Sequence, residues 1–358
     1  MRVLTSSERI KISLAGGEPD KIPCFFRAQK HLWDQLKREL NVSDDFSVMK
    51  TLGIDAYHLG TCYKEIPKLN TETDSKTCYD IFGNRFHVVR RGLEVEKKVV
   101  VPVLAPEGET LPVDSINWPD ASVLDMEKNI SNSMDLKQSG FAIYAGVWAS
   151  IFTHARDILG EETFFITMYE DPDYLKDLIA RLTDFYLEIN KVYLDSCAVY
   201  TDVYYFGSDF GTQRSLFISP EHFRTFFKPH LKRISNQAKE YGLPVMFHTC
   251  GNVIEIIPDL IECGIDILDP VQVSADEMTP DNLSRFKGMI TFNGGVSTQK
   301  TLPFGTPDDV KVEVLTLIQT LGPTGLIVAP DQEIIGDVST ANIVAMFDTA
   351  NTFNKRAV

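Results

Sequence analysis

No stretch of the chain stays apolar for the ~20 residues that a helical membrane span requires, so a membrane-embedded protein is not expected. Its first residues, Met1 to Arg9, have no signal-peptide core, and a cytoplasmic location is the expectation. Cysteine is sparse. Six in 358 residues, at 24, 62, 78, 197, 250 and 263, do not make a disulfide framework and fit a reducing compartment. Neither a Gly-x-Gly-x-x-Gly after a strand nor a P-loop occurs, so no nucleotide cofactor is indicated. Basic residues are in deficit, 35 against 50 acidic. The net charge of -15 argues against nucleic acid or an anionic membrane as the main partner. A local cationic pocket still leaves room for an anionic substrate.

What is present describes a globular chain. A hydrophobic content of 44% and a charged content of 24% are ordinary for one. The length is large for a typical domain and normal for a single barrel domain with insertions, taken as residues 1–358. An N-terminal helical segment covers 1–20. Strand-like stretches near 22–26, 55–58, 141–145, 201–206, 245–248, 265–269, 289–293 and 325–329 alternate with helical stretches. That alternation predicts a parallel sheet with crossover helices, and the count favours a (β/α)8 barrel of the TIM type. Residues 60–118 differ in texture: their alternation and their turns at 82–84 and 91–92 predict an antiparallel β excursion laid over the barrel mouth.

The most informative stretch is 244–252. Val245, Met246 and Phe247 read as a buried parallel strand, and His248 and Cys250 follow two apart. Residues two apart in extended chain point the same way, so an imidazole and a thiol are presented together. The C-terminal end of such a strand is where barrel enzymes place their chemistry. His-x-Cys is half of a zinc site, since zinc wants at least three protein ligands. A buried cysteine beside a hydrogen-bonded histidine is the plain alternative.

Five successive strands end in ligating or hydrogen-bonding residues: Asp209 and Gln213; His248 and Cys250; Asp269 and Gln272; Asn293; and Asp331, Gln332 and Glu333. Any one alone is usually a loop cap, but together in a barrel they converge on one mouth. Arg27 after the first strand, and Asp55 and His58 around the second, are further candidates. Tyr144, Trp148, Tyr204 and Tyr205 are placed to line a cavity, although at such spacing core packing is the commoner use of aromatic rings.

The ordered set of motifs resembles the uroporphyrinogen decarboxylase superfamily along nearly the whole chain. The residues that carry it are 18–23 (Glu-Pro-Asp-Lys-Ile-Pro), 208–213 (Ser-Asp-Phe-Gly-Thr-Gln), 218–223 (Ile-Ser-Pro-Glu-His-Phe), 247–251 (Phe-His-Thr-Cys-Gly), 264–272 (Gly-Ile-Asp-Ile-Leu-Asp-Pro-Val-Gln), 293–299 (Asn-Gly-Gly-Val-Ser-Thr-Gln) and 342–346 (Asn-Ile-Val-Ala-Met). The resemblance implies a (β/α)8 barrel with its site at the mouth. The decarboxylases of this superfamily hold substrate carboxylates with two arginines after the first strand. Here Arg27 matches and the second arginine does not. The cobalamin-dependent methyltransferase branch binds zinc through His-x-Cys and a later cysteine. Here His248 and Cys250 match, and residues 331–333 read Asp-Gln-Glu where that cysteine would stand.

The expectation is therefore a methyltransferase moving a methyl group between a small, methoxylated substrate and a corrinoid. Zinc would sit on His248, Cys250 and Glu333 or Asp331. Asp209 and Asp55 would position substrate or handle a proton, and His58, Tyr144, Tyr205, Gln213, Asp269, Gln272 and Asn293 would bind it. The expected partners are a small methyl donor and a separate corrinoid protein, with a homodimer as an open assembly. Two alternatives stand beside this one: metal-free decarboxylation of a carboxylated pyrrole or aromatic acid through Arg27 and an aspartate, and a non-catalytic barrel that carries a tetrapyrrole or corrinoid.

Overall fold

A computed structural model of the chain describes residues 3–64, 77–91 and 94–353. Seven parallel strands pair in sequence order: β1 (Ala56–Leu59), β5 (Ala142–Ala145), β6 (Val203–Gly207), β7 (Val245–His248), β8 (Ile267–Val271), β9 (Thr291–Val296) and β10 (Leu326–Pro330). Between β10 and β1 the backbone of Cys24 and Phe25 completes the ring. Cys24 bridges in parallel to Val328 and Phe25 to Ala56, and the Phe25 amide donates to the Val328 carbonyl at 3.0 Å. The expected eight-stave barrel is thus present, its first stave reduced to two bridges. No helix among the described residues is long and apolar enough to cross a membrane.

The strands obey the period of two. Phe25, Ala56, Ala142, Tyr144, Val203, Tyr205, Met246, Ile267, Ile327 and Ala329 form one buried cluster inside the barrel, which Ile10 of the helix Ser6–Leu14 joins. Their neighbours Phe26, Ile143, Tyr204, Phe206, Phe247, Leu268, Phe292 and Val328 belong to a second cluster beneath the outer helices. The longest helix, Pro172–Cys197, begins at an Asp171 cap with proline in its first turn and buries Leu175, Leu178, Ile179, Leu182, Phe185, Tyr186 and Ile189 at helical spacing.

At the N-terminal end of the barrel three aspartates, each just before a strand, accept a backbone N–H from a neighbouring stave. Asp55 accepts from Cys24 (3.0 Å), Asp202 from Ile143 (2.9 Å) and Asp266 from Val245 (2.7 Å). Asp55 also pairs with Arg9 at 2.5 Å and Lys21 at 3.1 Å. This corrects the expectation of a catalytic Asp55: it ties the floor of the barrel, opposite the mouth.

The expected β excursion exists as a three-stranded antiparallel sheet of β2 (Thr77–Tyr79), β3 (Arg85–Arg91) and β4 (Glu94–Val101). Residues 65–76, 92 and 93 of that stretch lie outside the described residues. Phe82 in the β2–β3 turn packs on Trp118, His154 and Phe185, so the described contacts anchor the sheet to the helical layer.

Candidate active site

At the mouth the inward-facing positions turn polar. Arg27, His58, Tyr205, His248, Asp269 and Asn293 continue the inner rows that Phe25, Ala56, Val203, Met246, Ile267 and Thr291 begin lower down. Asp269 is their centre and is 1% exposed. It accepts from Tyr205 Oη at 2.6 Å, His248 Nδ1 at 2.7 Å and Asn293 Nδ2 at 2.6 Å, and Arg27 Nη2 lies 3.3 Å away. Burial alone would raise this carboxyl. The charge of Arg27 and the bond from His248 outweigh it and hold the group down at about 2. The same pairing keeps Arg27 charged despite burial. Arg27 also donates to Tyr205 Oη at 2.7 Å.

Asp269 settles which histidine nitrogen is free. With a proton on Nδ1 held by a carboxylate, Nε2 carries the lone pair, as in the carboxylate–histidine–metal arrangement. Nε2 faces Cys250 Sγ at 3.2 Å and Asp209 Oδ1 at 3.6 Å. One donor atom from each of Asp209, His248 and Cys250 lies within 4.8 Å of the others. Nitrogen, sulfur and oxygen so gathered match the donor set zinc accepts. Burial, and then the charge of Asp209, push the Cys250 thiol up, so metal binding there must release its proton.

Asp209 reaches this pair because two loops touch backbone to backbone. The Cys250 amide donates to Asp209 Oδ1 (2.9 Å), and the Asn252 amide donates to the Thr212 carbonyl (2.7 Å). Gly251, at φ +81°, leaves no room for a Cβ against the Thr212 carbonyl oxygen and the Gly211 backbone. Gly251→Ala should therefore lower stability by at least about 1–3 kcal/mol, read as the urea midpoint. It should also weaken metal binding, because Asp209 and Cys250 would no longer face each other.

The remaining predicted residues fall into three groups. His58 and Tyr205 are at the mouth with Trp148, whose ring lies 5.3 Å from Tyr205, 5.6 Å from His248 and 6.3 Å from His58. Burial, reinforced by Arg27, depresses His58 to about 4 and keeps it neutral near pH 7. Tyr144 and Asn293 face inward, and Tyr144 Oη and Asn293 Oδ1 are buried with no hydrogen-bond partner among the described residues; the Tyr144 ring packs on Phe25 in the apolar cluster inside the barrel, and Asn293 is held to Asp269 through Nδ2. Gln272, Gln213, Asp331 and Glu333 do other things. Gln272 Oε1 accepts the Gly251 amide at 2.8 Å and so braces the ligand loop. Gln213 is exposed, its carbonyl accepting the Asp276 amide. Asp331 accepts from Thr298 N (2.8 Å), Thr298 Oγ1 (2.7 Å) and Ser274 Oγ (3.3 Å), and it lies outside the ligand cluster. Glu333 is exposed and also outside it. Asp209, expected as a positioning or proton-handling group, is the acid whose oxygen lies within reach of both His248 and Cys250.

The (β/α)8 barrel is the frame of several enzyme classes, which place their sites at this end of the strands. The uroporphyrinogen decarboxylase (URO-D) family model matches residues 136–353, more than half of the chain, and the chain belongs to that family. It is 26% identical over 226 residues to the methylated-thiol–coenzyme M methyltransferase of Methanosarcina mazei, a match covering 61% of this chain and 57% of that protein. A solved methyltransferase structure from Methanosarcina mazei superposes with a TM-score of 0.68 at 17% identity, over 98% of this chain and 99% of that one, and shares the fold.

Proposed function

We propose that the chain is a zinc-assisted methyltransferase that takes a methyl group from an oxygen of a small substrate and delivers it to a corrinoid on a separate protein. The observation that carries this is the meeting of His248 Nε2, Cys250 Sγ and an Asp209 oxygen at the mouth, with Asp269 holding His248 in the ligating tautomer. The likeness to the Methanosarcina methyltransferase supports the reaction class. Those three residues would hold the zinc, which would supply Lewis acidity to polarise a substrate oxygen and stabilise the charge of the departing group. A mixed nitrogen, sulfur and carboxylate set is harder than one with two thiolates and suits an oxygen donor. Arg27 and Asp269 compensate each other's charge and fix Tyr205 between them. The rings of Trp148, Tyr205 and neutral His58 wall the space beside the ligands. Decarboxylation of a polycarboxylate fits less well, because Arg27 is already paired with Asp269.

The test is metal content followed by methyl transfer. Protein purified without chelator should carry near-stoichiometric zinc, lost in both His248→Ala and Cys250→Ala. Incubated with cob(I)alamin and a panel of methyl ethers, it should produce the methylcobalamin spectrum. A zinc-free protein that forms no methyl–cobalt product with any of them would refute the reading, and carbon dioxide release from aromatic acids would replace it.

A further inference from the structure

Resting on the metal-site reading above, we infer that Gln332 is a positioning residue of the metal centre, its side-chain amide donating a hydrogen bond to the Cys250 sulfur and drawing charge from that ligand. Gln332 follows β10, three staves round the ring from β7 and the loop that carries Cys250, yet its Nε2 lies 2.9 Å from Cys250 Sγ. Once a cation has displaced the thiol proton, the other amide orientation would press a carbonyl oxygen against a thiolate, so the ligating sulfur selects the N–H. Flanking residues fix the reach. Asp331 is fully buried and tied to Thr298 and Ser274, and Ile334 pairs with Ala28 across the barrel seam. Gln332 is left half-buried between two anchors with its amide over the ligand loop.

The consequence is electronic as well as geometric. A thiolate that accepts an N–H bond gives less charge to a bound cation, which stays more electrophilic toward a substrate oxygen. It also restrains the Cys250 rotamer next to His248, where Sγ and Nε2 are 3.2 Å apart.

The probe is cobalt(II) in place of zinc in the full-length protein. Gln332→Leu and Gln332→Ala differ in bulk and agree in lacking the N–H. Both should move the sulfur-to-cobalt charge-transfer band to longer wavelength by the same amount, and both should bind cobalt about tenfold more weakly, the lower end of what an outer-shell partner contributes. Circular dichroism of the variants confirms that the barrel is folded. A wild-type charge-transfer band that neither substitution moves would overturn the inference and leave the metal site standing. Absence of any cobalt binding by wild type would instead remove the metal reading on which it rests.

Discussion

Asp269→Ala should be among the most damaging single changes in the barrel mouth. It removes one acceptor from Tyr205, His248, Asn293 and Arg27 together. The largest loss comes from Arg27, left as a half-buried cation without its counter-ion, at a cost of about 3 kcal/mol, the lower end for a buried pair. Urea denaturation should show it as a lowered midpoint. Metal affinity should fall as well, by about 10–100-fold, because His248 loses the partner that fixes its tautomer. A second substitution separates the two effects. Arg27→Met in the Asp269→Ala background removes the stranded charge and should restore most of the stability. Metal affinity should stay low, since His248 Nδ1 is still without a carboxylate. A variant Asp269→Ala within about 0.5 kcal/mol of wild type would mean that the network does not carry this load.

The pH dependence follows from the same group. Asp269 sits at about 2 in the folded chain against an ordinary 3.8. A carboxyl depressed by folding stabilises the fold above its unfolded value and loses that contribution as pH falls through the folded one. Its contribution is therefore complete at neutral pH and disappears only between about 4 and 2.

Much of this was legible in the sequence because barrels repeat a simple rule. Alternation placed the staves, and the period of two put His248 and Cys250 on one side, as found. What failed depended on which end of a strand a residue occupies. Asp55 lies one residue before β1, and the ions that claim it, Arg9 and Lys21, come from the N-terminal segment. Asp55 and His58 are only three residues apart, and that short span of β1 separates floor from mouth. Gln272 illustrates another limit: a polar residue at a strand end is as readily a brace as a ligand-binding group, and only the position of the Gly251 amide decides. The third candidate donor was missed for a tertiary reason. Asp209 belongs to the set only because the loops after β6 and β7 pack at Gly211 and Gly251, and residues some forty apart in sequence give no local sign of that contact.

That assignment predicts a separation among three acids. Asp209→Ala should lower zinc affinity by more than about 100-fold, beyond what outer-shell partners are worth, while changing stability little, since its side chain is 50% exposed. Glu333→Ala should leave both properties within error, because an exposed carboxylate outside the donor cluster has nothing to lose. Asp331→Ala should behave in the opposite way to Asp209→Ala. It strands the half-buried donors Thr298 N, Thr298 Oγ1 and Ser274 Oγ and should cost about 1 kcal/mol, the lower end for an unpaired group, with zinc still bound. Zinc titration against a competing chelator and urea denaturation, run on all three variants, read the two axes independently. Metal loss in Glu333→Ala with retention in Asp209→Ala would move the third ligand to the loop after β10. It would also require that loop to swing inward when metal binds, carrying Gln332 away from the sulfur it now faces. The same experiment therefore decides both the ligand set and whether the mouth is already shaped for its ion.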